Sequence, residues 1–377
     1  MAIRHPRYTL LLSVVLVLSL FLLLPDTTYN YNSFYPSSGA PSVVRTVTSD
    51  VSLPARVARG ERIYQKMLAK RRGLIRKFGP STTDVISFPE DREPWPAYTI
   101  WDFFPPAFNC PHELERIGAL GDGGKWLCGL SRLESKPDCI VYSIGAAGQA
   151  SFESELLART RNCQVWGYDF TTTRFGPEVT NPHKADSDWR AYFAEPVETF
   201  YSDDGGEEVE IEGERKEYWS DKGHLLERRT HFKSWGVAGK DAPETSDTPQ
   251  VYTIESLMRM NGHSHIDVLK IDMESLEFDA LAAFIEAFPV LPIGQLIVEL
   301  HIWNRPFDKI YQWWEALENA GMRAFMTEPN LIYQNYNRHA SPELAEYSFI
   351  NIKNGNVFVV DSPTESSPNM IRHGPRE

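Results

Sequence analysis

Apolar positions along the chain fall into three patterns. Residues 9–24, TLLLSVVLVLSLFLLL, form one unbroken apolar run without a charge. Residues 25–55 are rich in Ser, Thr, Pro and Tyr with no period, the composition of a flexible stem. Residues 59–78 bring helix formers and a basic cluster from Lys66 to Lys77, which reads as a solvated helix; Pro94, Pro96, Pro105 and Pro106 then mark an extended entry. From residue 109 onward short apolar runs alternate with helical periodicity. Runs at 139–144, 164–168, 231–237, 265–271, 295–302, 322–326 and 346–351 predict strands, with 356–360 extending the sheet. Stretches at 152–161, 254–260, 275–288 and 307–320 predict helices, the last stopped by Gly321. This alternation predicts an α/β fold with a mostly parallel central sheet and helices on both faces. A long polar segment, 171–230, interrupts it as an insertion or lid. The expected order is a tail at 1–8, an apolar helix at 9–24, a stem or linker at 25–108, a domain at 109–360 and a tail at 361–377.

The apolar run lies between a signal-peptide core and a full span of ~20 residues. Arg4, His5 and Arg7 precede it, and no small-x-small cleavage pattern follows Pro25-Asp26. The expectation is an uncleaved signal anchor, with the N-terminus cytoplasmic and the remainder lumenal in the Golgi or endoplasmic reticulum. A net charge of −13 argues against a nucleic-acid partner, which calls for a basic face. Four cysteines, Cys110, Cys128, Cys139 and Cys163, permit disulfides in such a compartment. Their spacing does not decide the pairing, and Cys139 and Cys163 border expected core strands, where a free thiol also fits.

Three segments carry candidate chemistry. Ser143-Ile144-Gly145-Ala146-Ala147-Gly148 follows a strand and precedes a helix, where ligands of open α/β sheets bind and glycine lets the backbone approach them. The next strand ends in Tyr168-Asp169, and an acid at that tip accepts the ribose hydroxyls of an adenosine. No Gly-x-Gly-x-x-Gly is present, so a nucleoside without a pyrophosphate suits the turn better. The second segment, residues 265–274, is apolar until Asp272 and Glu274, which strand alternation puts on one side. Two such carboxylates can hold a cation, bind a metal or act as a general base. Alternatively Asp272 or Ser275 caps the following helix, with Glu277 in its first turn. The third, Leu296 to His301, ends in Glu299 and His301. His301 can deprotonate an acceptor hydroxyl, complete a metal site with Asp272 and Glu299, or serve only as a hydrogen-bonded structural residue.

Taken in order, Tyr142-Ser143-Ile144-Gly145, Ser151-Phe152-Glu153, Gly167-Tyr168-Asp169, the run from Leu269 to Glu277, and Val298-Glu299-Leu300-His301 resemble the methyltransferase-like proteins related to the FkbM methyltransferases. Gly121-Asp122-Gly123-Gly124-Lys125-Trp126-Leu127-Cys128 is similar to a block in the branch typified by methyltransferase-like protein 24. The resemblance covers residues 109–351. It departs where the FkbM pattern has Asp in place of Ser143, and Gly in place of Ser275. It implies a Rossmann-like class I methyltransferase fold behind an N-terminal transmembrane helix, and S-adenosyl-L-methionine as cofactor. Ser143, Gly145, Gly148, Glu153 and Asp169 would form the cofactor-binding set, with Asp169 on the ribose. Asp272, His301 and Glu274 are the catalytic candidates.

The expected activity is O-methylation of a sugar, lipid or small hydroxyl acceptor in the secretory pathway. Two other classes stay open. A type II membrane glycosyltransferase is suggested by the anchor, the stem and Asp186-Ser187-Asp188, and a non-catalytic module with the same fold by the Ser143 departure.

Overall fold

The computed structural model describes residues 50–89, 96–145, 148–180, 226–335 and 342–361, within the compact unit Ser49–Glu377. The expected N-terminal tail, the apolar run, residues 25–49 of the stem, residues 181–225 of the insertion with Asp186-Ser187-Asp188, and residues 362–377 lie outside the described residues. No helix among the described residues is long and apolar enough to cross a membrane.

A seven-stranded sheet organises the unit. Strands β3 (Ile140–Ile144), β4 (Gln164–Tyr168), β5 (Thr230–Lys233), β8 (Ile266–Ile271), β9 (Ile293–His301), β10 (Met322–Pro329) and β11 (Leu344–Asn351) lie in the order β10-β11-β9-β8-β3-β4-β5. Only β11 runs antiparallel to its neighbours. Every residue of β8 and β9 is buried, which demands cover on both faces. The faces separate by alternation. Val141, Val165, Val268 and Ile297 pack into one cluster, and Tyr142, Tyr168, Leu269 and Val298 into the other.

Helices α3 (Ile254–Asn261), α4 (Glu277–Ala287) and α5 (Phe307–Asn319) cover the second face through Leu257, Phe284 and Trp314. The start of α3 is fixed by Thr253, whose hydroxyl accepts from the Ser256 amide, and its end by Gly262 at φ 73°. The first face is covered by α2 (Ser151–Arg159), through Phe152 and Leu156, and by an antiparallel hairpin, β1 (Leu114–Ile117) and β2 (Lys125–Cys128), through Ile117 and Leu127. A two-stranded piece, β6 (Gly236–Val237) with β7 (Val251–Tyr252), precedes α3.

Several expectations change. The basic helix is not part of a stem. It runs Leu53–Phe78 as α1 and buries Tyr64, Met67, Arg71 and Ile75 on the domain, so the domain begins well before residue 109. Its charges occupy the outer face and its apolar seam lies beneath, a division hidden by the density of Lys and Arg. The strand expected at 231–237 is two strands in different sheets, and 356–360 forms turns that bury Val357, Phe358 and Val359. The hairpin was not foreseen, because each strand is only four residues long. The free-thiol reading of Cys139 and Cys163 gives way to disulfides Cys139–Cys163 and Cys110–Cys128. One ties the start of β3 to the start of β4; the other anchors the hairpin.

Candidate active site

Strand register places the site. Ile144 pairs with both Tyr168 and Ile271, and Ile271 pairs with Val298. The residues that follow, Asp169, Gly145, Asp272 and Glu299, therefore stand level on four adjacent strands at their carboxyl ends. The row continues sideways, since Glu299 pairs with Glu346 of β11 and Glu346 with Glu328 of β10. Chain direction reverses its spread across the sheet between β3 and β8, the switch point where such sheets open a crevice.

Gly145 is at φ 77°, and a Cβ built on it would lie 1.7 Å from the Asp272 carbonyl oxygen. The backbones of β3 and β8 thus touch where the loop leaves the sheet. The Gly148 position, also at positive φ, faces open space. Asp169 is buried, and its Oδ1 accepts from the Thr171 amide at 2.8 Å and the Thr171 hydroxyl at 2.6 Å. Among the described residues this leaves Oδ2 uncommitted. Ser143 and Glu153 do not face the crevice. Both are fully buried, with the Ser143 hydroxyl donating to Glu153 Oε1 at 2.5 Å and the Lys270 ammonium at 3.0 Å from the same oxygen. Glu153 Oε2 is buried without a partner.

Asp272, Glu299 and His301 converge, one ligand atom from each lying within 4.8 Å of the others. The structure does not bring Glu274 into this group. The strand ends at Ile271, alternation stops, and Glu274 and Ser275 adopt φ 45° and 84°, leaving Glu274 exposed. The cap reading also changes: Leu276 occupies the N-cap of α4 without a side-chain bond. Ser275 stands at positive φ, a conformation that glycine adopts without strain. Ser275→Gly is expected to raise unfolding stability by about 0.5–1 kcal/mol, read by thermal denaturation. The Arg305 guanidinium keeps its 3.1 Å bond to the residue 275 carbonyl.

Glu277 has a larger role than first-turn charge. Fully buried, it accepts from the His301 amide at 2.7 Å, and its Oε1 lies 3.3 Å from His301 Nδ1. The Nε2 atom of His301 then stands 3.8 Å from Asp272. Burial pulls the imidazole down, but the Glu277 hydrogen bond and the charges of Glu277, Asp272 and Glu299 outweigh it, so its pKa is raised. Burial and the facing Asp272 carboxylate push Glu299 up to about 7, against the Asn330 amide that donates to it at 2.6 Å.

The hairpin closes the far side of the row. Lys125 is buried, with Nζ 2.6 Å from Glu346. Burial opposes its charge; Glu346, then Asp272 and Glu299, keep it protonated. The Glu328 carboxylate accepts from the Trp126 indole at 2.9 Å and from Arg116 at 3.2 Å. At the turn, the Ala119 amide donates to Ser151 Oγ at 3.1 Å and the Gly118 amide to Glu155 at 2.6 Å, docking the hairpin on the start of α2. Sequence reasoning missed Lys125, Glu277, Glu328 and Glu346 as neighbours of the site. The glycine-rich turn before Lys125 was the one available signal.

Numbered by appearance, the sheet strands read 3-2-1-4-5-7-6 with the seventh antiparallel, the topology of a Rossmann-like class I methyltransferase domain. A methyltransferase domain family matches residues 76–194, and the methyltransferase FkbM domain family matches residues 163–328. Together the two matches support an FkbM-related methyltransferase family for this chain. No curated protein matches the chain. Among solved structures it is similar to methyltransferase FkbM from Methylobacillus flagellatus KT, with 14% identity, a TM-score of 0.29, and coverage of 56% of this chain and 44% of that one. It is also similar to a Methanococcus jannaschii fibrillarin pre-rRNA processing protein (9% identity, TM-score 0.29, 57% of this chain and 67% of that one). An O-methyltransferase from Bacillus cereus in complex with SAH is similar at 11% identity and a TM-score of 0.27, over 56% of this chain and 74% of that one. At these scores the strand order and the family matches carry the assignment.

Proposed function

We propose that the chain is an S-adenosylmethionine-dependent O-methyltransferase acting on a sugar, lipid or small hydroxyl acceptor. The observation that carries this reading is the level row Asp169, Gly145, Asp272 and Glu299 on adjacent strands at the switch point. The residues present fit the cofactor. Open space at Gly148 admits it, and Asp169 Oδ2, uncommitted among the described residues, can accept from a ribose hydroxyl. When bound, that cofactor supplies a methyl group on a positively charged sulfur, for transfer by in-line displacement.

The chain's own work is alignment and proton removal. Gly145 and Asp169 orient the donor from β3 and β4. On the neighbouring strands Asp272, half-exposed, stands beside buried Glu299 and His301 and is the group placed to accept the acceptor's hydroxyl proton. Glu277 fixes the imidazole and raises its basicity.

Attachment to an endomembrane, with the domain in the lumen, belongs to the same proposal. The apolar run at 9–24 supports it, as do two disulfides that draw in all four cysteines, bonds that persist in oxidising compartments.

Calorimetry of the full-length chain with S-adenosylhomocysteine tests the donor assignment. One site per chain is expected, weakened about 10- to 100-fold by Asp169→Ala, the effect of losing a charged hydrogen bond. Absence of binding by the unmodified chain, or an unchanged affinity in Asp169→Ala, removes the reading.

A further inference from the structure

We infer that Asp272, Glu299 and His301 form a divalent-cation site on the acceptor side of the row. The inference rests on the methyltransferase reading for its place in the reaction, and its test is independent of that reading.

Three donors of two kinds, two carboxylates and an imidazole, present one ligand atom each within 4.8 Å of one another. Atoms held by one ion at roughly 2.0–2.2 Å stand at most about 4.4 Å apart, so a small side-chain adjustment would bring the three onto a single ion. Their support is already built. A metal-bound histidine usually gives its second ring nitrogen to a carboxylate, which fixes its orientation. Here Glu277 Oε1 lies 3.3 Å from His301 Nδ1, and His301 Nε2 is turned toward Asp272. Asn330 orients Glu299 in the same way, donating at 2.6 Å. Asp272 is the least buried of the three, so the open positions of an ion would face the crevice.

A second observation is independent of the donor geometry: among the described residues the carboxylates outnumber the basic groups around them. Among the described residues four carboxylates gather here, Asp272, Glu277, Glu299 and Glu346. Lys125 and the imidazole of His301 are the basic groups among them, and Lys125 is engaged with Glu346. Two carboxylate oxygens, Glu277 Oε2 and Glu346 Oε1, are buried with no partner. Glu277 is fully buried and reaches the cluster through His301. Buried carboxylates without compensation are strongly unfavourable, and a divalent ion between Asp272, Glu299 and His301 supplies the missing charge. Mixed carboxylate and imidazole donors suit Mn²⁺, which both ligand types accept. At that position an ion would polarise an acceptor oxygen beside the methyl donor.

Titration of the full-length chain with Mn²⁺, following loss of the free-ion paramagnetic resonance signal, tests this. One ion per chain is expected. Glu299→Gln and His301→Gln should weaken binding more than about 10-fold, and the isosteric Glu277→Gln, at the carboxylate hydrogen-bonded to His301, by about 10-fold. All three should keep S-adenosylhomocysteine binding, which also reports that they fold. No Mn²⁺ bound by the unmodified chain, or equal binding in Glu299→Gln and His301→Gln, overturns the site. If S-adenosylhomocysteine binds and Mn²⁺ does not, the cation site fails and the methyltransferase reading stands. If Mn²⁺ binds with the expected variant losses and S-adenosylhomocysteine does not, the site stands and the donor assignment fails.

Discussion

Gly145→Ala is expected to unfold or severely destabilise the domain and to abolish donor binding. The glycine adopts φ 77°, which costs an L residue about 1–2 kcal/mol on its own. The steric problem is larger. The new Cβ would sit 1.7 Å from the Asp272 carbonyl oxygen and 2.7 Å from its carbonyl carbon, atoms of backbone that no rotamer change can move. Relief requires parting β3 from β8 where the Asp272 amide donates to the Ile144 carbonyl at 3.0 Å. Those are the two strands that carry Gly145 and Asp272 into one row. A loss of more than about 3 kcal/mol is expected, an apparent melting shift of roughly 2–4 °C for each kcal/mol. Thermal denaturation and S-adenosylhomocysteine calorimetry read the two effects. A variant with the parent's melting temperature and the parent's affinity would show that the contact between β3 and β8 does not shape the site.

The second large effect is expected far from the crevice, at the seam between α1 and α5. Arg71 and Glu318 form a two-pronged ion pair at 2.9 Å on both arms, with the arginine side chain only 2% exposed. Arg71 Nε also donates to the Phe103 carbonyl at 2.7 Å, and Glu318 Oε1 accepts from the Tyr64 hydroxyl at 2.5 Å and the Trp314 indole at 2.8 Å. The arms that reach this pair come from α1 through Tyr64, from α5 through Trp314 and from the segment at Phe103, so the pair ties α1 to the rest of the domain. Removing one partner strands a buried charge, and Arg71→Ala is expected to cost about 3–5 kcal/mol. Arg71→Met with Glu318→Leu removes both charges and is expected to recover part of that loss. The recovery is incomplete, because Tyr64, Trp314 and the Phe103 carbonyl lose their partner. Denaturant unfolding of the two single variants and the double variant gives the coupling. Equal stability of Arg71→Ala and the parent chain would return α1 to the status of a loosely attached stem.

Much of the fold was readable from the sequence because local pattern and global structure agree. The apolar runs at β3, β4, β8 and β9 are bounded by turn residues, and the periodic stretches between them match α2, α4 and α5. Gly145 and Asp169 were readable for the same reason: each is the first residue beyond a strand, and position at a strand tip is a property of the chain itself. The family matches bear out the methyltransferase class that the resemblance implied.

Where the reading failed, contacts between distant segments decided the outcome. Glu274 looked like Asp272's companion because alternation was extended three residues past the strand. The backbone instead turns left-handed at Glu274 and Ser275, and Asp272's companions come from β9. Glu277 looked like a helix-start acid, yet it holds His301, twenty-four residues away, because α4 leads into the strand beside β8. The α1 helix looked solvated because its sequence is crowded with Lys and Arg, while the residues it buries recur only once per turn.

By itself the sequence determined which residues stand at strand ends, since a strand's limits follow from where its apolar run stops and a turn residue begins. Tertiary structure alone decided which of those ends adjoin. Strand order arises from the packing of helices on two faces, and nothing local to β8, β9 or β11 tells the chain that Asp272, Glu299 and Glu346 will share one burial site. Their charges interact only after the sheet has excluded water from around them, and that exclusion exists only in the assembled fold.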